Sequence, residues 1–355
     1  MSQRILITGA AGYIGSHFIE EVYETAPPFL AGVEFIFVDD LSSGHEASIR
    51  SLIRLAKEKG FPEPLFFKIN LLHERALSEV FENTKPEAVM HFAGKISVAE
   101  SVANPDFYFE NNVIGSKNLL NAMKKQDCKR IVFSSTAAVY GKVLDITKAN
   151  HPILESTPLL PINPYGETKL LIENAIREAH DEWGLDSVIF RYFNAAGASL
   201  SGRLGELHEP ETHLIPLLVR AVLLNQPLKI FGTDYDTRDG SCIRDFVHVK
   251  DLAMAHLLGL QKLNEGSIQS PLVLNLGTEH GTSVFEVVKS VEILTGKSIQ
   301  REFGPKRSGD SAVLIADSNQ AKSILGWKAK YSSIHSILSS VLSWESANSK
   351  SKKKD

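Results

Sequence analysis

Six short, almost wholly apolar runs stand at residues 4–8, 33–38, 65–69, 88–92, 130–134 and 187–192, and longer stretches of helical period separate them. Strands exposed on one face alternate apolar with polar positions, whereas strands of a parallel sheet covered on both faces are apolar throughout. The pattern therefore predicts an α/β fold with a doubly wound parallel sheet. Two of the intervening helices carry proline in their first turn, Pro105 and Pro164, where a missing N–H has no intrahelical partner to lose.

Beyond Tyr192 the alternation weakens. Polar, glycine-rich segments appear, NAAGASLSGRLGELHEPETH and FGTDYDTRDGSCIRDF, with short helices at 213–224 and 284–294 among them. Loops of this length in a compact domain are usually functional. The expectation is a first domain over 1–193 and a smaller C-terminal α/β lobe over 194–347 that contacts substrate. The strand-like run 246–249 leads into a helix at 251–263 and is a candidate to return to the first sheet. The ending SKSKKKD reads as a basic flexible tail over 348–355.

Composition narrows the class. A hydrophobic share of 43% over 355 residues excludes wholesale disorder, and a net charge of −4 with no large basic block argues against a nucleic-acid partner. Cys128 and Cys242 form no disulfide framework, which fits a reducing compartment. The start MSQRILITGAAGYIG lacks the features of a signal peptide, and the longest apolar stretch, 214–224, is broken by Arg220, so a cytoplasmic protein with no membrane span is expected. The 12 histidines show no ligand spacing, so no metal is expected, and no GxSxG, Walker A or HExxH motif occurs.

Two constellations carry chemistry. After Thr8 comes GAAGYIG, residues 9–15, opening a helix, and the next strand ends in Asp39 and Asp40. Gly9 and Gly12 let the backbone turn and approach a pyrophosphate at a helix N-terminus, and Gly15 lets helix and strand pack closely. An acid at the second strand's end suits ribose hydroxyls and repels a 2′-phosphate, so NAD is expected over NADP in a Rossmann-like domain. The second constellation is Tyr165 and Lys169, which i, i+4 spacing stacks on one helix face, together with Thr136 at a strand's end. A phenol of pKa ~10 becomes a useful base at neutral pH only if lowered by about three units, or about 4 kcal/mol. Lys169 and a cationic nicotinamide are the expected sources.

Taken in order with VDDLSSG, HFAGKISVAESV, NNV at 111–113, SSTAAVYG, NPYGETK, RYFNAAGA, HLIP, IFGTDYDTRDGSCIRDFVHV, NLGT and RSGD at 307–310, these residues give an almost end-to-end resemblance. The chain resembles the extended short-chain dehydrogenase/reductases and, within them, the UDP-glucose 4-epimerases. The resemblance implies a tightly held NAD that takes a hydride from C4 of a UDP-hexose and returns it to the other face, in galactose metabolism. It implies Tyr165 as base, Lys169 as its partner and ribose ligand, and Thr136 as the hydroxyl at O4. It assigns the cofactor to Gly9, Gly12, Tyr13, Ile14, Gly15, Asp39, Asn70, Leu71, Phe92, Ala93, Gly94, Asn111, Ser134, Tyr165, Lys169 and Tyr192. It assigns the UDP-sugar to Thr136, Tyr165, Asn194, His213, Leu214, Phe231, Arg244, Arg307, Asp310 and Leu314. It further implies a homodimer through the helices after Asn104 and Pro164.

Three positions depart from the family's pattern. Ile96 stands where some bacterial members carry a cofactor-side Lys, with Lys95 shifted by one, so that contact is expected to be lost. Asn70 replaces an Asp that often accepts from the adenine amino group, a task an amide oxygen can also perform. Leu314 lies at the position whose bulk limits the pocket beside the sugar's C2 substituent, and its intermediate size implies that an N-acetylated sugar is a detectable but poorer substrate. Among rival activities, 4,6-dehydration needs an acid and a base where Ala137 and Ala138 stand. An epimerase of another UDP-sugar and a non-catalytic NAD-binding regulator are the remaining alternatives, and the regulator is disfavoured because such proteins usually lose the Tyr and Lys.

Overall fold

The computed structural model of the chain describes residues 3–141, 152–307 and 310–351. Along the chain run β1 (Arg4–Thr8), α1 (Tyr13–Thr25), β2 (Glu34–Asp39), α2 (Glu46–Glu58), β3 (Leu65–Lys68), α3 (Glu74–Thr84) and β4 (Ala88–His91). Next come α4 (Val98–Ala103), α5 (Pro105–Tyr108), a π-helical turn (Phe109–Ile114), α6 (Gly115–Lys125), β5 (Arg130–Thr136), α7 (Pro164–Trp183) and β6 (Asp186–Tyr192). Then follow β7 (Asn194–Ala196), α8 (Leu214–Leu224), β8 (Leu228–Phe231), β9 (Ile243–Arg244), β10 (Phe246–His248), α9 (Val249–Glu265) and β11 (Leu272–Leu276). The chain closes with β12 (Thr282–Ser283), α10 (Val284–Thr295), β13 (Arg301–Gly304), β14 (Val313–Leu314), α11 (Asn319–Leu325) and α12 (Ile334–Ser351).

All six expected strands form, with ends within two residues of those expected. They lie in a seven-stranded sheet of order β11-β6-β5-β4-β1-β2-β3, and the pairs among β1 to β5 are parallel. The order reverses between β1 and β4, the kind of switch point where open α/β sheets hold ligands. Register aligns Thr8 with Val38 and with His91, and His91 with Phe133. Gly9, Asp39, Phe92 and Ser134 are thereby brought to one edge of the sheet. The core beneath this edge includes Leu6, Val38, Val89, Phe133 and Ile189 from the strands, with Leu77, Met123 and Ile176 from the helices.

The seventh strand is β11, not the run 246–249 considered for that place. Residues Phe246–His248 instead pair in parallel with Asn194–Ala196 in a separate two-stranded sheet. Phe246 is buried in the second core with Ile215, Leu218, Val288 and Trp344, so its packing holds the segment there. The run LVLNL, bounded by Pro271 and Gly277, was the available signal for β11.

The described residues divide into two compact units: 3–141, 159–191 and 253–274 form one, and 152–158, 192–252 and 275–351 the other. Where one crossing near residue 193 was expected, the units are thus interleaved in sequence. Of the basic tail expected over 348–355, residues 348–351 lie in α12, which is anchored by buried Trp344 and by Glu345, paired with Arg220 at 2.8 Å. The rest of that tail, 352–355, lies outside the described residues. Among the described residues, no helix is long and apolar enough to cross a membrane.

Candidate active site

In the first unit the glycine turn is built as its sequence demands. Gly9 has φ +69°, and a methyl group built on it would come within 2.7 Å of the Ala93 nitrogen. On Gly15 the methyl would stand 2.3 Å from the Gly9 carbonyl oxygen, but on Gly12 only that same oxygen, at 3.3 Å, would be near. The turn is therefore packed hard at Gly9 and Gly15 and less tightly at Gly12, beside half-buried Tyr13 and Ile14. Gly12 caps α1 without a side-chain hydrogen bond. This cradle fits a pyrophosphate held by main-chain N–H groups.

Asp39 is buried, and its two carboxylate oxygens accept from the Ala11 and Leu41 main-chain N–H groups at 2.9 and 2.8 Å. Burial pushes its carboxyl above the usual range against those two hydrogen bonds. Each oxygen keeps a further lone pair for a ribose hydroxyl. Asn70 donates to Asp40 at 2.7 Å and accepts from the Leu72 N–H at 2.8 Å, which leaves one acceptor site on its amide oxygen. Leu71 buries its side chain in the core and accepts from Asn118 through its carbonyl.

After β4, the Phe92 N–H donates to the Thr8 carbonyl, and Gly94 carries φ +156° at a point where a methyl group would stand 3.3 Å from Asn112 and 3.6 Å from the Lys169 ammonium. Lys95, one place from its expected position, donates to Ser42 and Ser43 in the loop after Asp40, and Ile96 is exposed. Asn111 donates to the Phe107 carbonyl and stays half-buried. Its neighbour Asn112 is the buried one. Its amide accepts from the Lys95 N–H and donates to the Lys95 carbonyl and the Thr168 hydroxyl, tying the Gly94 loop to α7. The π-helical turn sets which asparagine points inward, a displacement that helical periodicity alone does not reveal.

Helix α7 starts where its signals place it. Asn163 accepts from the Gly166 N–H at 2.8 Å, and Pro164 occupies the first turn. Tyr165 hydrogen-bonds Thr136, which lowers its pKa, but burial dominates and pushes the phenol up to about 12. Lys169 donates to the Ser134 carbonyl at 2.9 Å, 4.9 Å from the Phe133 ring centre. Burial lowers its pKa to about 8, with Glu173 opposing that shift. The expected help from Lys169 to the phenolate is therefore not supplied by the protein alone. The Ser134 hydroxyl is shared with His256 at 2.9 Å.

Sequence reasoning missed the layer beneath these groups. Glu173, wholly buried one turn beyond Lys169, accepts from Ser135 at 2.6 Å and from Arg191 at 2.9 and 2.6 Å. Arg191 also donates to Tyr140 at 3.1 Å. Ser135 precedes Thr136 and Arg191 precedes Tyr192, so one carboxylate ties α7 to the ends of β5 and β6. Removing one partner of such a buried pair is far costlier than the pair's net contribution. An i+4 acid after Lys169 was the only sequence signal.

In the second unit, Arg244 and Leu314 are register partners on β9 and β14, and the Asn194 N–H donates to the carbonyl of Asp245, the next residue. The Arg244 guanidinium donates to Asp310 at 2.5 Å. Phe231 ends β8 with the Arg307 guanidinium 4.3 Å from its ring centre. The buried Cys242 thiol is pushed up by desolvation and feels the charges of Arg244, Asp310 and Arg307. His213 caps α8 and Leu214 begins it, but His213 is drawn into a cluster with Glu206, His208 and Glu211. The spacing of the histidines did not suggest that cluster, because a loop assembles it.

The family model for the NAD dependent epimerase/dehydratase family matches residues 5–277. A UDP-glucose 4-epimerase of Halalkalibacterium halodurans is 42% identical over 341 residues, covering 96% of this chain and 95% of that one. The crystal structure of UDP-glucose 4-epimerase from Bifidobacterium longum with NAD+ and UDP superposes with TM-score 0.87 at 35% identity, covering 98% of this chain and 99% of the other. The UDP-Glc/GlcNAc 4-epimerase of Campylobacter jejuni gives TM-score 0.80 at 36% identity, covering 97% and 99%. With the glycine cradle, the acid after β2 and the Tyr165–Lys169 pair on one sheet edge, these likenesses place the chain in the NAD-dependent epimerase/dehydratase family.

Proposed function

We propose that this protein is a UDP-glucose 4-epimerase that interconverts UDP-galactose and UDP-glucose on a retained NAD. The observation that carries the proposal is Tyr165, hydrogen-bonded to Thr136, one helical turn before the buried Lys169, whose ammonium donates to the Ser134 carbonyl in β5. When bound, NAD supplies the acceptor and donor of the C4 hydride and a positive ring charge beside the phenol. Tyr165 takes the O4 proton and returns it, Thr136 orients the sugar hydroxyl, and Lys169 binds the nicotinamide ribose. Gly9, Gly12, Tyr13, Ile14, Gly15, Asp39, Asn70, Leu71, Phe92, Ala93, Gly94, Asn111, Ser134 and Tyr192 complete the cofactor site.

Arg244 and Arg307 hold the diphosphate, since guanidinium forks bind its oxygens with paired hydrogen bonds. Asp310 orients Arg244, and Asn194, His213, Leu214, Phe231 and Leu314 complete the UDP-sugar site. The protein acts in the cytoplasm in galactose metabolism. It acts as a homodimer, a reading supported by Phe107, Phe109, Ile114 and Leu171, apolar side chains 37–45% exposed on the helices named for that contact. Purified protein incubated with UDP-galactose and no added cofactor should yield UDP-glucose on chromatography. A strict need for added NADP, or NADH accumulating with product, would refute the assignment.

A further inference from the structure

Glu206, His208, Glu211 and His213 lie in the loop that leads into α8, and one ligand atom from each falls within 4.8 Å of every other. The Glu206 carboxylate oxygen is 2.5 Å from His213 Nδ1 and 3.3 Å from His208 Nδ1. Glu211 Oε1 is 3.8 Å from His208 Nδ1 and 3.9 Å from His213 Nδ1. In a tetrahedral zinc site with bonds of ~2.0–2.1 Å, neighbouring ligand atoms are about 3.3 Å apart, a value these four distances straddle. The two imidazole rings stand nearly perpendicular, at 77°. Glu206 and Glu211 have side chains only 4% and 3% exposed.

A network of ion pairs between carboxylates and imidazolium rings accounts for Glu206, whose oxygen both rings approach. It reaches Glu211 only at the long distances of 3.8 and 3.9 Å. Glu211 Oε1 accepts from the Thr212 and His213 N–H groups, but Oε2 is buried without a hydrogen bond, the Arg220 guanidinium standing 3.9 Å away. A buried carboxylate oxygen lacking a donor costs free energy that a coordinated cation removes.

We propose that these four residues form a structural site for a divalent transition-metal ion, with Zn2+ the best match. Two imidazoles and two carboxylates suit zinc, whereas Mg2+ and Ca2+ take oxygen ligands and Cu(I) takes sulfur. Two carboxylates neutralise the dication. Four protein ligands leave no open position, so the ion fastens the loop to the start of α8 and takes no part in the reaction. The site shares His213 with the proposed UDP-sugar site, but metal uptake is read without turnover, so either reading can fail alone.

The test is to strip the full-length, NAD-retaining protein with a chelator and titrate it with Co2+. One Co2+ per chain should bind with the visible absorption of a four-coordinate ion, Zn2+ should displace it, and His208→Gln should weaken binding at least tenfold. Absence of saturable uptake, or wild-type uptake by His208→Gln, would overturn the site. Should that variant fail to fold, X-ray absorption of the zinc-loaded wild type decides: two nitrogens and two oxygens at ~2.0–2.2 Å support the site, and a six-oxygen shell rejects it.

Discussion

In the first unit, Gly9, Asp39, Phe92 and Ser134 stand at or just beyond strand positions that register locks together, whereas in the second, Arg244, Asp310 and Leu314 depend on two-residue strands and a loop. The first arrangement rests on a core of interlocking apolar strands and is pre-organised for chemistry that tolerates little displacement. The second places its charges on short elements whose side chains do much of the positioning, as Arg244 and Asp310 do for each other. The proposed reaction machinery thus sits on the strand-locked unit, and the groups proposed to choose a substrate sit on short elements and loops, which are easier to vary.

The comparison breaks hardest at Tyr165. Tyr165→Phe should lower kcat by about 10²–10⁴-fold, and Thr136→Ala by less, with bound NAD checked by absorbance. Near-normal turnover in Tyr165→Phe would move the base elsewhere. In the second unit the expected effects fall on selection instead. Leu314→Tyr should cut the kcat/KM ratio of UDP-N-acetylglucosamine to UDP-glucose by about 10–200-fold, the worth of one crowded apolar contact. Equal ratios in wild type, Leu314→Tyr and Leu314→Ala would show that Leu314 does not gate the pocket.

Arg244→Met removes charge-assisted hydrogen bonds of about 1.5–3 kcal/mol, so KM should rise about 10–150-fold with kcat much less affected. A fall in kcat at unchanged KM would assign Arg244 to the chemical step.

The smallest effect sharpens the contrast from the side of stability. Lys169 is held in the fold at a pKa of about 8, below its unfolded value of 10.5, so burying its charge destabilises the cofactor-free protein fully below pH 8. That cost is relieved as pH rises from about 8 to 10.5, because the folded form gives up its proton first. Lys169→Met should therefore be inactive yet more stable by about 1–3 kcal/mol at pH 7, after allowing for the lost bond to Ser134, and the gain should vanish above pH ~10.5. Melting curves across that range check it. A gain that does not change with pH would mean that burial of the charge is not its cause.

What the chain determined by itself was local. Apolar runs announced strands, proline announced the start of α7, and i, i+4 spacing put Tyr165 and Lys169 on one face, since each rule acts within a few residues. Which of Phe246–His248 and Leu272–Leu276 joins the main sheet was beyond such rules, because both are apolar and only packing against distant helices separates them. The same holds for Asn112 turned inward beside Asn111, for Glu173 bound to Ser135 and Arg191, and for the gathering of Glu206, His208, Glu211 and His213. The protonation of Lys169 and Tyr165 was likewise decided in three dimensions, because desolvation depends on what the whole fold excludes from water rather than on neighbours in sequence.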